Sequence, residues 1–232
     1  MFTAFSRAFS QVLDPTFRKV FWRGLILTSL VFVGVGWLVY VLTPALTATP
    51  WDWVNAVLDY SAIVVFALLA FIMFPALATL FIGLFLDDVA EAVEQRHYPG
   101  DQPGRALPMG VAFAVTLRFT LLVIVLNILV LPLYVVVIWF PPINMLIFYS
   151  LNGYLLGREY FELVARRHAP EPDVAKLRKS NGMRVFLPGV VITFLLTIPF
   201  VNLLAPMVAT AAMVHVFKRL AEREQAYRRA VP

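Results

Sequence analysis

Four stretches of the chain, residues 24–51, 60–86, 119–157 and 185–217, contain no Asp, Glu, Lys or Arg. A soluble core cannot hide four such runs: ordinary domains are roughly 25% charged and roughly 45–50% apolar, whereas this chain is 14% charged and 61% apolar. At a rise of about 1.5 Å per residue, about 20 apolar residues cover a hydrocarbon core of about 30 Å. The pattern excludes a soluble enzyme, a disordered chain and a coiled coil. It predicts an all-α integral membrane protein, a single membrane domain over residues 1–232.

The charges set the topology. All 19 Lys and Arg fall in residues 1–23, 87–118, 158–184 and 218–232. The linker 45–59 carries only Asp52 and Asp59. Basic blocks that alternate with apolar runs obey the positive-inside rule and place the blocks, with both termini, on the cytoplasmic side of the membrane. The net charge of +5 therefore reads as topology, and no nucleic-acid partner is expected. No cleavable signal is expected at the N-terminus. The absence of cysteine removes disulfides and thiolate chemistry.

Residues 1–14 predict an interfacial helix, with Phe2, Phe5, Phe9 and Leu13 on one face; packing of that face on other helices is the alternative. Pro15 ends it, and residues 15–23 form a basic turn. Residues 24–44 and 60–86 predict two spanning helices, with Trp51 and Trp53 at the far interface and a kink at Pro75. The second is expected to continue past the membrane through Asp87, Asp88, Glu91 and Glu94. Residues 218–232 are a cytoplasmic tail.

Residues 119–157 and 185–217 are interrupted by prolines, and both ends of each lie beside basic blocks. Each should enter and leave on one side. In the second, the arms 185–198 and 207–217 hold 14 and 11 residues, roughly 21 and 17 Å of helix, short of a full span. Two partly penetrating helical hairpins are expected, the first also long enough for a true spanning pair. Their apices resemble each other: Phe140-Pro141-Pro142-Ile143-Asn144-Met145-Leu146 against Ile198-Pro199-Phe200-Val201-Asn202-Leu203-Leu204, 58 residues apart. Pro ends a helix and Asn caps one well, so Pro141, Asn144, Pro199 and Asn202 mark two apices and an internal repeat of the kind found in transport folds. If Asn144 and Asn202 cap the outgoing helices, the helix N-termini offer partial positive charge to an anion; otherwise each Asn satisfies its own turn.

A second anion candidate is Pro15-Thr16-Phe17-Arg18-Lys19, where two cations follow a helix start. Asp87, Glu91 and Glu94 share a helical face and read as partners for the basic blocks rather than as a metal site. His97, His168 and His215 lack ligand spacing. No metalloprotease, P-loop, nucleophile-elbow or dinucleotide motif occurs, so neither a cofactor nor an enzymatic activity is expected.

The Pro15–Lys19 turn, Gly83-Leu84-Phe85-Leu86-Asp87 and Ile198-Pro199-Phe200-Val201-Asn202-Leu203-Leu204-Ala205-Pro206 together resemble the CysZ-like inner-membrane proteins of bacteria, associated with sulfate uptake for cysteine synthesis. The resemblance covers nearly the whole chain. It implies two long spanning helices, two partly penetrating hairpins, a homo-oligomer in the lipid bilayer, and a sulfate permease or channel. It also implies anion binding by Phe17, Arg18 and Lys19, with Asp87 as a gating or ion-paired residue. The sequence departs from the family's usual proline turn: Thr16 replaces a glycine, Phe17 an aliphatic residue and Lys19 a second arginine. Those changes leave room for another oxyanion. A non-transporting membrane scaffold is the alternative reading.

Overall fold

The computed structural model describes residues 2–46, 49–106 and 108–230; the side chains of residues 2, 46, 109, 111–113, 115, 116, 119 and 225–230 lie outside the described set, as do residues 231–232 of the predicted tail. Among the described residues every regular element is a helix. In chain order these are α1 (Phe2–Ser10), α2 (Pro15–Leu46), α3 (Asp52–Gly83), α4 (Leu86–His97), α5 (Met109–Val136), α6 (Pro141–Ala165), α7 (Glu171–Ser180), α8 (Gly182–Thr197) and α9 (Val201–Ala230). The chain is an all-α membrane protein.

Helices α2 and α3 form a long antiparallel hairpin. Phe32 stacks on Phe74 at 5.9 Å, and Gly36 lets the Phe66 ring approach. Nearer the helix bases, Gly24 faces Ile82. Only 6% of the apolar window of each helix is buried, so the remaining Leu, Val, Ile and Phe side chains have lipid as their natural solvent. α3 begins at Asp52, within the stretch read from sequence as a linker, and passes Pro75 as one helix.

The continuous helix predicted from residue 60 past Asp87 is instead two. The chain turns at Leu84–Phe85, and the acidic segment becomes the separate helix α4. Its apolar face, Leu86, Val89, Ala90 and Val93, is buried, while Asp87, Asp88 and Glu94 reach basic residues on other elements. α1 packs on another helix, as the alternative reading of residues 1–14 has it. Ala4, Phe5 and Ala8 are buried in the packing against α9, while Phe9 and Leu13 stay exposed. Two alanines let the helices approach, which an aromatic count alone does not register.

The proline positions resolve in the same way. α5 runs through Pro132, α8 through Pro188 and α9 through Pro206. Only Val137–Phe140 and Ile198–Phe200 interrupt the helices; α8 packs back on α9, whereas α5 meets α6 only sparsely. Membrane helices tolerate internal proline where surrounding protein satisfies the backbone. The uncharged arm of α9 is therefore 201–217, about 26 Å of helix, longer than the arm counted from Pro206. This arm is not a lipid-facing element. Ala205, Met207, Val208, Ala209, Ala211, Ala212 and Met213 are all essentially buried, and α9 is the post against which α1, α3, α4, α6 and α8 pack.

α6 and α8 cross in close contact. Gly153 lies against Val190, and Gly157 against Val185 and Gly189, which fixes an antiparallel register. Carried up both helices, that register sets the first turn of α6 and the end of α8 at the same level, so the two apices lie at one depth. α7 meets α8 at an angle of 88°.

Candidate functional site

The first turn of α2 supplies the donors. Pro15 has no N–H, and the Arg18 N–H bonds the Asp14 carbonyl at 3.0 Å. The N–H groups of Thr16 and Phe17 remain as first-turn donors without an intrahelical partner. Phe17 is buried as a whole residue, at 1% exposure, and anchors the turn, so the accessible first-turn N–H is that of half-buried Thr16. Arg18 and Lys19 are both exposed, about 100° apart around the helix. Neither has an ion-pair partner among the described residues. Arg23, one turn further on, pairs with Asp88 at 3.4 Å.

The carboxylates around this turn are already engaged. α4 lies antiparallel along the base of α2: Arg96 near its end pairs with Asp14, and Asp88 near its start pairs with Arg23. Asp87 points the other way and meets Arg167 at 2.6 Å. Glu94, buried two turns further along α4, accepts from the Gly104 N–H at 3.1 Å, contacts His168 Nε2 at 2.8 Å and lies 3.7 Å from Arg167. Burial alone would raise the Glu94 carboxyl, but the His168 and Gly104 hydrogen bonds and the Arg167 charge outweigh it and hold it below its ordinary value. The acidic stretch is thus an ion-pairing strip that ties α4 to α2 and to the segment after α6, and it leaves the two α2 cations unopposed.

The apices are built differently from expectation. Asn144 is the fourth residue of α6 and not its cap, which is Phe140. Pro141 and Pro142 lack N–H groups, and the next two, on Ile143 and Asn144, both bond the Phe140 carbonyl. Asn144 Nδ2 donates back to Val137 O at 3.1 Å. At the second apex Pro199 lies in the turn, Phe200 takes the left-handed conformation at φ 66°, and the N–H groups of Val201, Asn202 and Leu203 are consumed by the turn. Asn202 is the second residue of α9. The apices therefore offer an anion almost no backbone donors. Each does hold a buried Asn Oδ1 without a hydrogen-bond partner, an acceptor suited to water rather than to an anion. The α6–α8 register sets Pro141 and Asn144 level with Pro199 and Asn202, while Phe17, Arg18 and Lys19 lie on a different helix at the other end of the charge-free segments.

Sequence reasoning read the acidic strip as ion pairs but did not find His168 or Gly104 as partners of Glu94, nor the contact between Tyr98 Oη and His215 Nδ1 at 2.9 Å. The signal for the first was present: Asp87 and Glu94 share a face of α4, and Arg167-His168 is a paired donor in a basic block. The second needs the tertiary packing of α4 on α9.

The sequence matches, over residues 4–206, the family described as sulfate transporter CysZ/etoposide-induced protein 2.4. No curated protein matches the chain. The family match spans most of the chain, and the chain belongs to this family.

Proposed function

We propose that this member of the sulfate transporter CysZ/etoposide-induced protein 2.4 family is an oxyanion permease or channel of a bacterial inner membrane, with sulfate as its principal substrate and cysteine synthesis as the use of that sulfate. The observation that carries the reading is the state of Arg18 and Lys19. They are exposed and unopposed beside the Thr16 N–H group, while Asp14, Asp87 and Asp88 are each held by an arginine. A divalent oxyanion there gains two cations and the Thr16 backbone donor at a positive helix end.

Thr16 fits this role. Phe200 has the one positive φ among the described non-glycine residues, so the turn needs no glycine, and the threonine hydroxyl adds a donor. Lys19 supplies charge without a bidentate fork. The two hairpins, penetrating partway, line the conduit around Asn144 and Asn202. Asp87, by releasing or holding Arg167, gates it. No energy-coupling group is invoked, and the protein works as a homo-oligomer with both termini cytoplasmic.

Binding tests the capture site before transport does. Sulfate affinity, measured on the purified protein by isotope binding, should fall at least about tenfold for Arg18→Ala and again for Lys19→Ala, since each removes a charge-assisted contact of about 1.5–3 kcal/mol. Arg23→Ala, which removes a cation already paired, should leave it nearly unchanged. Unaltered affinity in the double variant would remove the site. The scaffold reading draws on the consumed donors at both apices, and it predicts no sulfate binding by the wild-type protein.

A further inference from the structure

A second cationic site lies away from α2, where α6, α7 and α8 meet. A cavity of about 410 Å³ is lined by Tyr154 and Arg158 of α6, Arg178 and Lys179 of α7, and Met183 and Phe186 of α8, among others. Its charge is unbalanced. Glu162 meets Arg166 at 2.7 Å, Arg158 at 2.8 Å and Arg178 at 3.0 Å, and Glu171 adds a longer contact to Arg166 at 3.6 Å. Two carboxylates face three guanidiniums and Lys179, so the corner keeps an excess of positive charge. Arg158 and Arg178 both approach Glu162 through Nε, which leaves their terminal nitrogens unpartnered among the described residues. Lys179 is exposed and has no ion-pair partner there either.

The position of the cavity is as informative as its charge. The charge-free stretches end at Gly157 and begin again at Val185, so Arg158, Arg178 and Lys179 stand at the edge of the membrane. Tyr154, one turn above Arg158, and Met183 and Phe186 give the same cavity an apolar upper wall. Met183 is 65% exposed and Tyr154 44%. A small soluble anion has no use for that wall. A phospholipid has: its phosphate meets the guanidinium forks, its glycerol and upper acyl chain meet Tyr154, Met183 and Phe186, and basic pockets between helices at this depth select anionic headgroups.

We infer that the Arg158–Arg178–Lys179 cavity is a phosphate-group site whose occupant is the headgroup of an anionic phospholipid. The bent α7–α8 pair, which carries two of the three cations, is thereby clamped to the bilayer surface. The site is independent of the oxyanion site proposed at α2.

Native mass spectrometry of the detergent-purified protein tests it, with phosphatidylglycerol, phosphatidylcholine and inorganic phosphate as probes. Wild-type protein should retain phosphatidylglycerol in preference to phosphatidylcholine. Arg158→Gln and Lys179→Ala should each lower phosphatidylglycerol retention about fivefold. Lys176→Ala, on the same helix but outside the cavity, should not. Lys179 is exposed and unpaired, so its loss leaves the fold intact even if Arg158→Gln disturbs Glu162. Equal retention of the two lipids, or retention unchanged in Lys179→Ala, would overturn the site. Displacement of the lipid by millimolar inorganic phosphate would overturn the lipid as its occupant.

Discussion

Gly189 of α8 sits so close to Gly153 of α6 that a Cβ on Gly189 would lie 1.9 Å from the Gly153 carbonyl oxygen. The same Cβ would lie 2.6 Å from the Gly157 nitrogen. Backbone meets backbone here, and no side-chain movement can relieve the clash. Gly189→Ala should therefore push the two hairpins apart at a cost of about 1–3 kcal/mol. Thermal unfolding in detergent measures it. Gly182→Ala, where nothing lies within contact distance, is the control and should hold its midpoint.

Glu94 gives the packing of α4 a pH dependence with a definite sign. Its folded carboxyl titrates below the ordinary value of 4.5. The stability it contributes is thus fully present above that value and is lost as pH falls through the folded one. The unfolding midpoint should drop on acidification below about pH 5. Glu94→Gln should flatten that drop while lowering stability at neutral pH by about 2–3 kcal/mol, because Arg167 and His168 lose a buried partner. An acid limb of unchanged steepness in Glu94→Gln would assign the pH dependence elsewhere.

Glu162→Gln should be more damaging. It leaves Arg158, Arg166 and Arg178 facing one another with no buried counter-charge, a loss of about 3–5 kcal/mol. Size-exclusion chromatography should show loss of the monodisperse protein. Glu91→Gln, whose carboxylate only accepts from exposed Gln95, should change stability by less than about 0.5 kcal/mol.

Lys19→Arg tests the chemistry of the proposed capture site in the favourable direction. Arginine keeps the charge and restores the planar fork that matches an oxyanion. Sulfate affinity should rise severalfold, read by isotope binding. Unchanged affinity would mean that Lys19 acts only as a distant charge.

Much of this architecture is legible in the residues. Missing charges mark the α2–α3 hairpin, and Pro141 and Pro199 mark both breaks, because a charge in lipid and a proline in a helix are each penalised locally. Pro132, Pro188 and Pro206 mislead for the converse reason: each helix continues through its proline, and the burial of Pro188 and Pro206 among other helices is recorded by no local pattern. α9 reads as a hairpin arm in lipid because alanine and methionine are as apolar as a lipid-facing surface requires. That they form the core instead depends on five neighbouring helices. In the candidate site, Arg18 and Lys19 stand out by their place after Pro15. That they remain unopposed depends on Asp14–Arg96 and Asp87–Arg167, pairs about eighty residues apart and invisible to spacing.

Radiolabelled sulfate uptake into liposomes reconstituted with the protein is the most direct measurement of the central claim. The account predicts flux well above empty liposomes for the wild-type protein, and flux reduced towards that background for the Arg18→Ala/Lys19→Ala variant at the same reconstituted amount. Wild-type flux no greater than that of empty liposomes would contradict it.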